Sequence, residues 1–404
     1  MQNHYNTFGP RIGFAWDPTG SGKTALRAGY GIGYYRIEGN DTQRTAGNPP
    51  YSGIATFFRP PFDNPAGGAV APQTPLVVYG FDPTYDIPSA ASWSFSIQRQ
   101  LTPSLGLSVA YVGTQGLHRD MVSDINQPLA AMGYDFDPRI ACTATTPYPC
   151  TTRISEDYVR PYKGWSTISN VIPVGNSAYH GLQISLQKRL SAGLSFAAAY
   201  TWSKTLGTCT GSDLDGCTQN YYDMKAERGL AAFDRPQVLM ANYVYDLPFF
   251  KGLSGIGGGV LKGWEATGIL TFESGLAFTP GFTSATAGLA TKPDRLAGVS
   301  VNNGPKTAGQ WFNTAAFTAP PFGYFGNAGD GIIRGPGMNN WDMGFFKNFK
   351  VKERGNVQVR GEMFNTWNHT NFWDMNTTYG SGSFGQVVSA HTPRVIQLAM
   401  RLSF

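Results

Sequence analysis

The sequence has little charge and no long apolar run. Charged residues make up 14% of its 404 residues, well below the roughly 25% that is usual for soluble domains. No apolar segment reaches the roughly 18 residues that a membrane-spanning helix needs. The net charge is only +5, and the lysines and arginines are dispersed along the chain. The composition therefore gives no indication of a nucleic-acid partner.

The sequence does contain 50 glycines, 27 prolines, 14% aromatic residues and repeated segments of alternating hydrophobicity. The last segment, Arg394–Phe404, shows the pattern most clearly. Successive side chains of an extended strand lie on opposite faces, and roughly 9–11 alternating residues can cross a bilayer when the strand is tilted. One face of this segment would carry an apolar stripe made of Ile396, Leu398, Met400, Leu402 and Phe404.

The same alternation predicts ten further strands upstream of the last one. In Leu182–Gln187, for example, Leu182 and Ile184 would face lipid, and Gln183 and Ser185 would face a lumen. The predicted strands are Arg11–Trp16, Thr24–Tyr35, Ser92–Leu101, Leu105–Thr114, Ala178–Leu190, Leu194–Lys204, Pro236–Leu247, Gly263–Ser274, Asn340–Val351, Gly355–Asn368 and Arg394–Phe404.

Short and long connections alternate strictly between these predicted strands. This asymmetry is typical of outer-membrane barrels, in which short turns are periplasmic and long loops are extracellular. Aromatic residues also gather near the loop ends of strands, where a headgroup belt is expected. The sequence therefore predicts an all-β fold, a transmembrane antiparallel β-barrel. A soluble β-sandwich also alternates, but it does not account for the asymmetry of the connections.

Two features indicate that residues 1–404 are the C-terminal portion of a longer barrel. An eleven-stranded count is odd, whereas single-chain bacterial barrels have an even number of strands. The polar start Met1–Asn6 is followed by no apolar core, so no signal peptide opens the sequence. We therefore expect at least one strand and the export signal upstream.

Four cysteines form two close pairs in predicted outer loops, Cys142 with Cys150 and Cys209 with Cys217. An oxidising exterior allows disulfides, and each bridge would close a small ring. Metal binding is the alternative, but neither pair has Cys-x-x-Cys spacing or a nearby histidine. The outer placement of these loops favours disulfides.

No constellation of residues indicates catalysis, a cofactor or a metal site. Gly22-Lys23-Thr24 resembles the end of a phosphate-binding loop, but Asp17 stands where that motif requires glycine and no helix follows. The five histidines are scattered. Asp213-Leu214-Asp215 could hold calcium, although a solvated turn is the commoner explanation for such a segment. The sequence predicts a protein that is not an enzyme.

Several segments resemble Oar-like TonB-dependent outer-membrane receptors. They are the terminal strand ending in Phe404, Tyr179–Gln183 with Tyr200–Lys204, Phe233–Pro236, and Arg360–Asn365 with Trp367-Asn368. The resemblance covers nearly the whole chain and is most specific from about Ala178 to Phe404.

The resemblance implies a 22-stranded barrel of the Gram-negative outer membrane, with a plug and a regulatory-like N-terminal domain that this chain lacks. It also implies ligand import driven by the TonB complex through the missing N-terminal part. The apolar stripe ending at Phe404 resembles the signal that the barrel-assembly machinery recognises. Outer-membrane lipid and an extracellular carbohydrate, peptide or protein are the remaining expected partners.

We expect ligand recognition in loops Ile37–Ala90, Gly116–Ser177 and Leu276–Asn339, because variable loops on a rigid scaffold usually carry binding. Two alternatives to a transporter stay open at this point. The barrel could only anchor a surface adhesion or assembly protein, or it could form a passive porin.

Overall fold

A computed structural model describes residues 7–36, 39–49, 62–64, 76–128, 160–209, 218–250, 252–283, 290–321, 324–351 and 355–404. Its main feature is a sheet in which eleven strands follow one another in chain order. These strands are β1 (Arg11–Trp16), β2 (Thr24–Tyr34), β3 (Ser89–Thr102), β4 (Leu105–Asp124), β5 (Trp165–Ser191), β6 (Leu194–Thr208), β7 (Gln237–Asp246), β8 (Trp264–Glu273), β9 (Met338–Val351), β10 (Gly355–Phe364) and β11 (Val395–Ser403).

Each of these strands pairs antiparallel with the next one in the sequence. Two short strands join the sheet beside this path. Leu76–Phe81 runs parallel to β5, and Arg228–Leu230 runs antiparallel to β6. Among the described residues, no helix is long and apolar enough to cross a membrane. The prediction of an all-β antiparallel fold with eleven principal strands is confirmed.

The register divides the sheet into an apolar face and a polar face, because directly paired residues in an antiparallel ladder point to the same side. One row of the apolar face consists of Trp16, Leu26, Ile97, Val109, Ile184, Tyr200 and Leu239. The neighbouring row of the polar face consists of Gln98, Ser108, Ser185, Ala199, Met240, Thr271 and Asn340. Ile184 and Ser185 therefore lie on opposite faces, as the alternation predicts.

Two aromatic rings lie directly against glycines of the sheet, one on the neighbouring strand and one on the same strand. A Cβ at Gly113 would collide with the indole of Trp93, and a Cβ at Gly181 would collide with the phenol of Tyr179. Glycine in a strand allows such a close approach, which a larger residue would prevent. Trp93 covers the apolar face, and Tyr179 covers the polar face.

The two longest strands extend well beyond the predicted boundaries. We expected strands to end at Thr114 and to begin again at Ala178, but β4 continues to Asp124 and β5 begins at Trp165. Register shifts between Gly116 and Met121 interrupt the alternation there. Bulges add residues to one strand and so hide the period of two. Part of the predicted loop Gly116–Ser177 is therefore a projecting hairpin.

The short connections lie at one end of the sheet, which we call the turn end. In the β1–β2 turn, the carboxylate of Asp17 accepts hydrogen bonds from the backbone N–H groups of Thr19 (3.0 Å) and Gly22 (2.7 Å). These bonds lower the pKa of Asp17 below its ordinary value of 3.8. The glycine-rich β7–β8 connection contains a short helix, Gly255–Leu261.

The long connections at the opposite end pack into a loop cap, which we define as the described residues of 218–236, 290–338 and 365–394. Its apolar core is built around Phe312 and Ile333, both fully buried. Phe317 and Phe384 contact Phe312 edge to face, with ring centroids 6.0 and 5.1 Å away. These connections are therefore a packed body with an interior of its own.

Candidate ligand site at the mouth of the sheet

A cavity of about 550 Å³ lies on the polar face where strands β4 to β7 meet the loop cap, and we call it the mouth cavity. Hydroxyl groups, two guanidinium groups and two aromatic rings contribute most of its polar and aromatic lining. These side chains belong to Thr114, Arg119, Ser177, Tyr179, Ser203, Thr205, Phe233 and Arg235. A concave site with a few converging polar groups is the usual form of a small-molecule site.

Asp234 holds the segment that carries two of these residues, Phe233 and Arg235. One oxygen of its carboxylate accepts a hydrogen bond from the backbone N–H of Thr205 at 2.7 Å. The other forms an ion pair with Arg334 at 2.9 Å, and Asp234 is only 1% exposed. Because Asp234 joins strand β6 to the loop cap, the residues on either side of it are fixed at the cavity.

Phe233 is the most exposed aromatic side chain of the cavity, with 64% of its surface accessible. Neighbouring Ala231 and Asp234 are buried, and the N–H of Asp234 donates to the carbonyl of Ala231 at 2.8 Å. An exposed ring on a tightly bonded turn costs apolar hydration in the free protein. A ligand that covers this ring would recover that cost.

The two guanidinium groups differ in their electrostatic surroundings. Arg235 forms an ion pair with Glu273 at 2.6 Å and lies 5.7 Å from the centroid of the Trp373 ring. Arg119 donates to the carbonyl of Thr208 at 3.3 Å. Among the ion pairs of the described residues, none involves Arg119. The cavity therefore carries one positive charge that no described carboxylate neutralises.

A buried ion cluster joins two of the three connections that form the loop cap, the β6–β7 and β8–β9 connections. The ammonium group of Lys292 lies 2.5 Å from Glu227 and 2.6 Å from Asp330. Burial raises the pKa of Asp330, and Lys292 offsets this only in part. Burial alone would lower the pKa of Lys292, but the carboxylates of Asp330 and Glu227 outweigh it and raise that pKa.

Gln219 adds a second junction beside this cluster. Its side-chain oxygen accepts hydrogen bonds from the N–H groups of Thr291, Lys292 and Gly326 at 3.0–3.2 Å. Its backbone carbonyl accepts one from Gln127 at 2.6 Å, which ties in the connection after β4. Three long connections are therefore locked together above the cavity, and the loop cap presents a preformed surface.

A second cavity, of about 610 Å³, lies at the turn end of the polar face. Four cationic side chains line it together with several glutamines, and no carboxylate does; the cations are Lys23, Arg27, Arg99 and Arg189. This cationic surface is separate from the mouth cavity.

Most of the site residues that were predicted from the sequence lie outside these two cavities. Of the four cysteines, only Cys209 lies within the described residues, where it is buried, so the two disulfides stay predictions. Asp213 and Asp215 also lie outside. The stripe that ends at Phe404 is highly exposed on β11, from 59% at Ile396 to 98% at Phe404, and its role in assembly is likewise untested. The described residues contain no group of three or more potential metal ligands.

The mouth cavity lies largely outside the loops in which we expected recognition. Arg119 and Ser177 belong to the predicted loop Gly116–Ser177, whereas Tyr179, Thr205 and Phe233 do not. The segments around Tyr179 and Phe233 were noticed only through a family resemblance. A lone polar residue on a strand gives no sequence signal of the cavity that it lines, because the cavity depends on the register between strands.

Comparisons with known proteins agree with this architecture. A family model described as outer membrane beta barrel domain matches residues 1–397, and a search of curated proteins found no match. The outer membrane transporter YddB from Escherichia coli is 10% identical, with a TM-score of 0.51 over 98% of this chain and 40% of its own. The siderophore receptor PiuA from Acinetobacter baumannii is 10% identical, with a TM-score of 0.46 over 97% and 35%. The FrpB iron transporter from Neisseria meningitidis is 10% identical, with a TM-score of 0.45 over 98% and 39%.

The chain thus spans about 40% of the length of YddB, and the likeness to that transporter concerns the fold. The family model covers nearly the whole sequence, and the register gives the sheet one continuous apolar face. The chain therefore belongs to the outer membrane beta barrel domain family, and its apolar face meets the hydrocarbon of the outer membrane of a Gram-negative bacterium.

Proposed function

We propose that residues 1–404 form the C-terminal portion of the barrel of an Oar-like TonB-dependent receptor, which binds an extracellular ligand at the mouth cavity. In the full-length protein, the TonB complex would supply energy for import by contacting an N-terminal part of that receptor. The observation that carries this proposal is the cavity of about 550 Å³ beneath a rigid loop cap. The transporter fold of YddB supports it.

The lining of the cavity favours a polar ligand with an apolar surface. Phe233 offers an exposed ring, and Tyr179 and Thr205 offer hydroxyl groups that can donate or accept hydrogen bonds. Arg119 adds a charged donor, whose hydrogen bonds are stronger than neutral ones. A carbohydrate or a peptide meets these requirements.

The rigidity of the loop cap also suits a receptor. Loops that are already ordered lose little conformational entropy when a ligand binds, and preorganisation therefore increases affinity. The Lys292 cluster and the Gln219 junction supply this order. The barrel needs no reactive group for such a role, and the proposed activity is binding and transport without covalent chemistry.

Ligand binding is tested with two variants that truncate an exposed aromatic ring. Phe233→Ala removes the ring at the cavity, and Phe249→Ala removes a similarly exposed ring (57%) at the turn end. Purified protein is titrated with a panel of fluorescent oligosaccharides and oligopeptides. We expect Phe233→Ala to lower the affinity for the tightest-binding ligand of the panel about tenfold, which corresponds to about 1.4 kcal/mol of binding free energy. Phe249→Ala should leave this affinity unchanged. Equal effects of the two variants would refute the placement of the site.

Energy coupling is tested separately in cells that carry the full-length protein. We expect a protonophore to abolish accumulation of the bound ligand inside the cell while surface binding persists. Binding that never leads to uptake in untreated cells would instead favour a barrel that anchors an adhesion protein.

A further inference from the structure

A histidine and a lysine lie on the apolar face close to its loop end. His180 on β5 stands directly opposite Lys204 on β6, and both side chains are exposed. They share this face with Leu182 and Trp202, the next residues toward the turn end. A cationic side chain on the lipid face of a barrel is costly near the midplane and is tolerated near the interface. A lysine beside a histidine N–H donor at this place therefore suits an anionic partner at headgroup level.

We propose that His180 and Lys204 bind the phosphate of an outer-leaflet lipid headgroup. We call these two residues, together with Trp93 and Tyr111, the rim cluster. The proposal concerns the outer wall of the barrel and is independent of the receptor function, which rests on the opposite face.

Tyr111 holds the imidazole of His180 in place. The hydroxyl of Tyr111 lies 2.7 Å from Nδ1 of His180, and the two rings are stacked, with centroids 6.2 Å apart. When the tyrosine hydroxyl donates to Nδ1, the proton of a neutral imidazole lies on Nε2. The Nε2–H group then serves as a hydrogen-bond donor on the lipid face even without a positive charge. Among the described residues, none takes this donor.

Trp93 closes the side of the cluster that faces β3. Its ring centroid lies 5.9 Å from that of His180, at an interplanar angle of 56°, although a whole strand separates the two residues. The ring reaches so far because Gly113, between them, has no side chain to obstruct it. Trp93, Gly113, His180 and Lys204 occupy one row of paired positions.

The surroundings of Lys204 leave its charge for an external partner. Among the ion pairs of the described residues, none involves Lys204. Trp202, one row nearer the membrane centre, is 60% exposed. Aromatic rings of this kind mark the level of the headgroups, and lysines at that level attract anionic lipids. An ammonium and an N–H donor side by side match the oxygens of one phosphate group.

The test measures lipid binding to the purified, detergent-solubilised protein by native mass spectrometry. The probe is diphosphorylated lipid A, and the reference probe is the same lipid after removal of both phosphates. We expect the wild type to bind the phosphorylated probe at least tenfold more tightly than the reference. The double variant His180→Gln/Lys204→Gln should bind the two probes alike.

Three controls make the result specific. Lys225→Gln removes an exposed lysine in the β6–β7 connection, and it should leave binding unchanged. Tyr111→Phe keeps the ring but removes the hydroxyl that orients His180, so it should weaken binding about threefold and leave the effect of Lys204→Gln intact. Inorganic phosphate at millimolar concentration should not displace the lipid, because a free anion lacks the acyl chains that lie against Leu182.

The proposal is wrong if the wild type binds both probes equally, if the double variant retains the preference, or if inorganic phosphate displaces the lipid. Heat-modifiable migration in gel electrophoresis reports whether each variant forms a folded barrel. Should the double variant not fold, Lys204→Gln alone decides the question, since it leaves the Trp93–His180–Tyr111 contacts in place. Unchanged lipid binding by that single variant would overturn the proposal.

Discussion

Ile184→Arg and Ser185→Arg should differ sharply in their effect on stability, although the two positions are adjacent. Ile184 belongs to the apolar face, where it pairs with Val109 and Tyr200. Ser185 belongs to the polar face, where it pairs with Ser108 and Ala199. The same new side chain would therefore enter hydrocarbon at one position and an aqueous lumen at the next.

The size of the difference follows from the depth of Ile184 in the membrane. His180 at the rim and Lys188 near the turn end bracket the membrane part of β5. The eight steps between them, at about 3.3 Å each, span about 26 Å along the strand. A tilt of about 40° reduces this to about 20 Å across the bilayer, and Ile184 lies at its midpoint. An arginine at the midplane costs about 2–4 kcal/mol, whereas Ser185→Arg should cost less than about 0.5 kcal/mol.

The assay is reversible unfolding by denaturant in lipid vesicles, followed by tryptophan fluorescence. We expect the midpoint of Ile184→Arg to shift to a lower denaturant concentration with an unchanged slope, and that of Ser185→Arg to coincide with the wild type. Equal destabilisation by the two variants would refute the facing assignment, and with it the outward placement of the rim cluster.

Other outcomes concern the loop cap, the first turn and the cysteines. Lys292→Met leaves two carboxylates in a buried site without their counter-ion, which should destabilise the loop cap by about 3–5 kcal/mol; unchanged hydrogen exchange in residues 218–236 would contradict this. The ionised carboxylate of Asp17 stabilises the β1–β2 turn, and this stabilisation is fully present above pH 3.8, the ordinary pKa of aspartate. It is lost as the pH falls through the lower pKa that Asp17 has in the folded protein. The Gly22 amide should therefore exchange faster in strong acid, and Asp17→Asn should remove that pH dependence; identical pH profiles would argue against it. Mass spectrometry of non-reduced peptides should show Cys142 linked to Cys150 and Cys209 linked to Cys217, and free thiols in purified protein would count against these bridges.

The sheet could be predicted from the sequence because its signal is local. Alternation such as that of Leu182–Gln187 reports directly which side chains share a face, and Pro103 or the Ser191–Gly193 turn marks where the chain reverses. The strand order then required no further information, since every principal strand pairs with the next one along the chain. Predictions weakened where bulges break the alternation, as between Gly116 and Met121.

The mouth cavity and the loop cap could not be predicted because they depend on contacts between distant segments. Lys292 meets Glu227 across 65 positions, and neither residue stands in a recognisable pattern. Asp234 drew notice only as part of a family resemblance, which does not reveal that its carboxylate joins Thr205 to Arg334. The rim cluster is similar, because it combines residues of four strands that only the register brings into neighbouring rows.

The strict chain-order pairing of the eleven strands has a consequence for how the wall is built. Each new hairpin needs only the strand before it as a template for pairing. The sheet can therefore grow one strand at a time. The entropy lost in closing each short turn is small, and growth of this kind avoids the search for remote partners that slows other β proteins. The main boundary between cooperative units would then fall between the sheet and the loop cap, where ion pairs and the Gln219 hydrogen bonds join connections that are distant in the sequence.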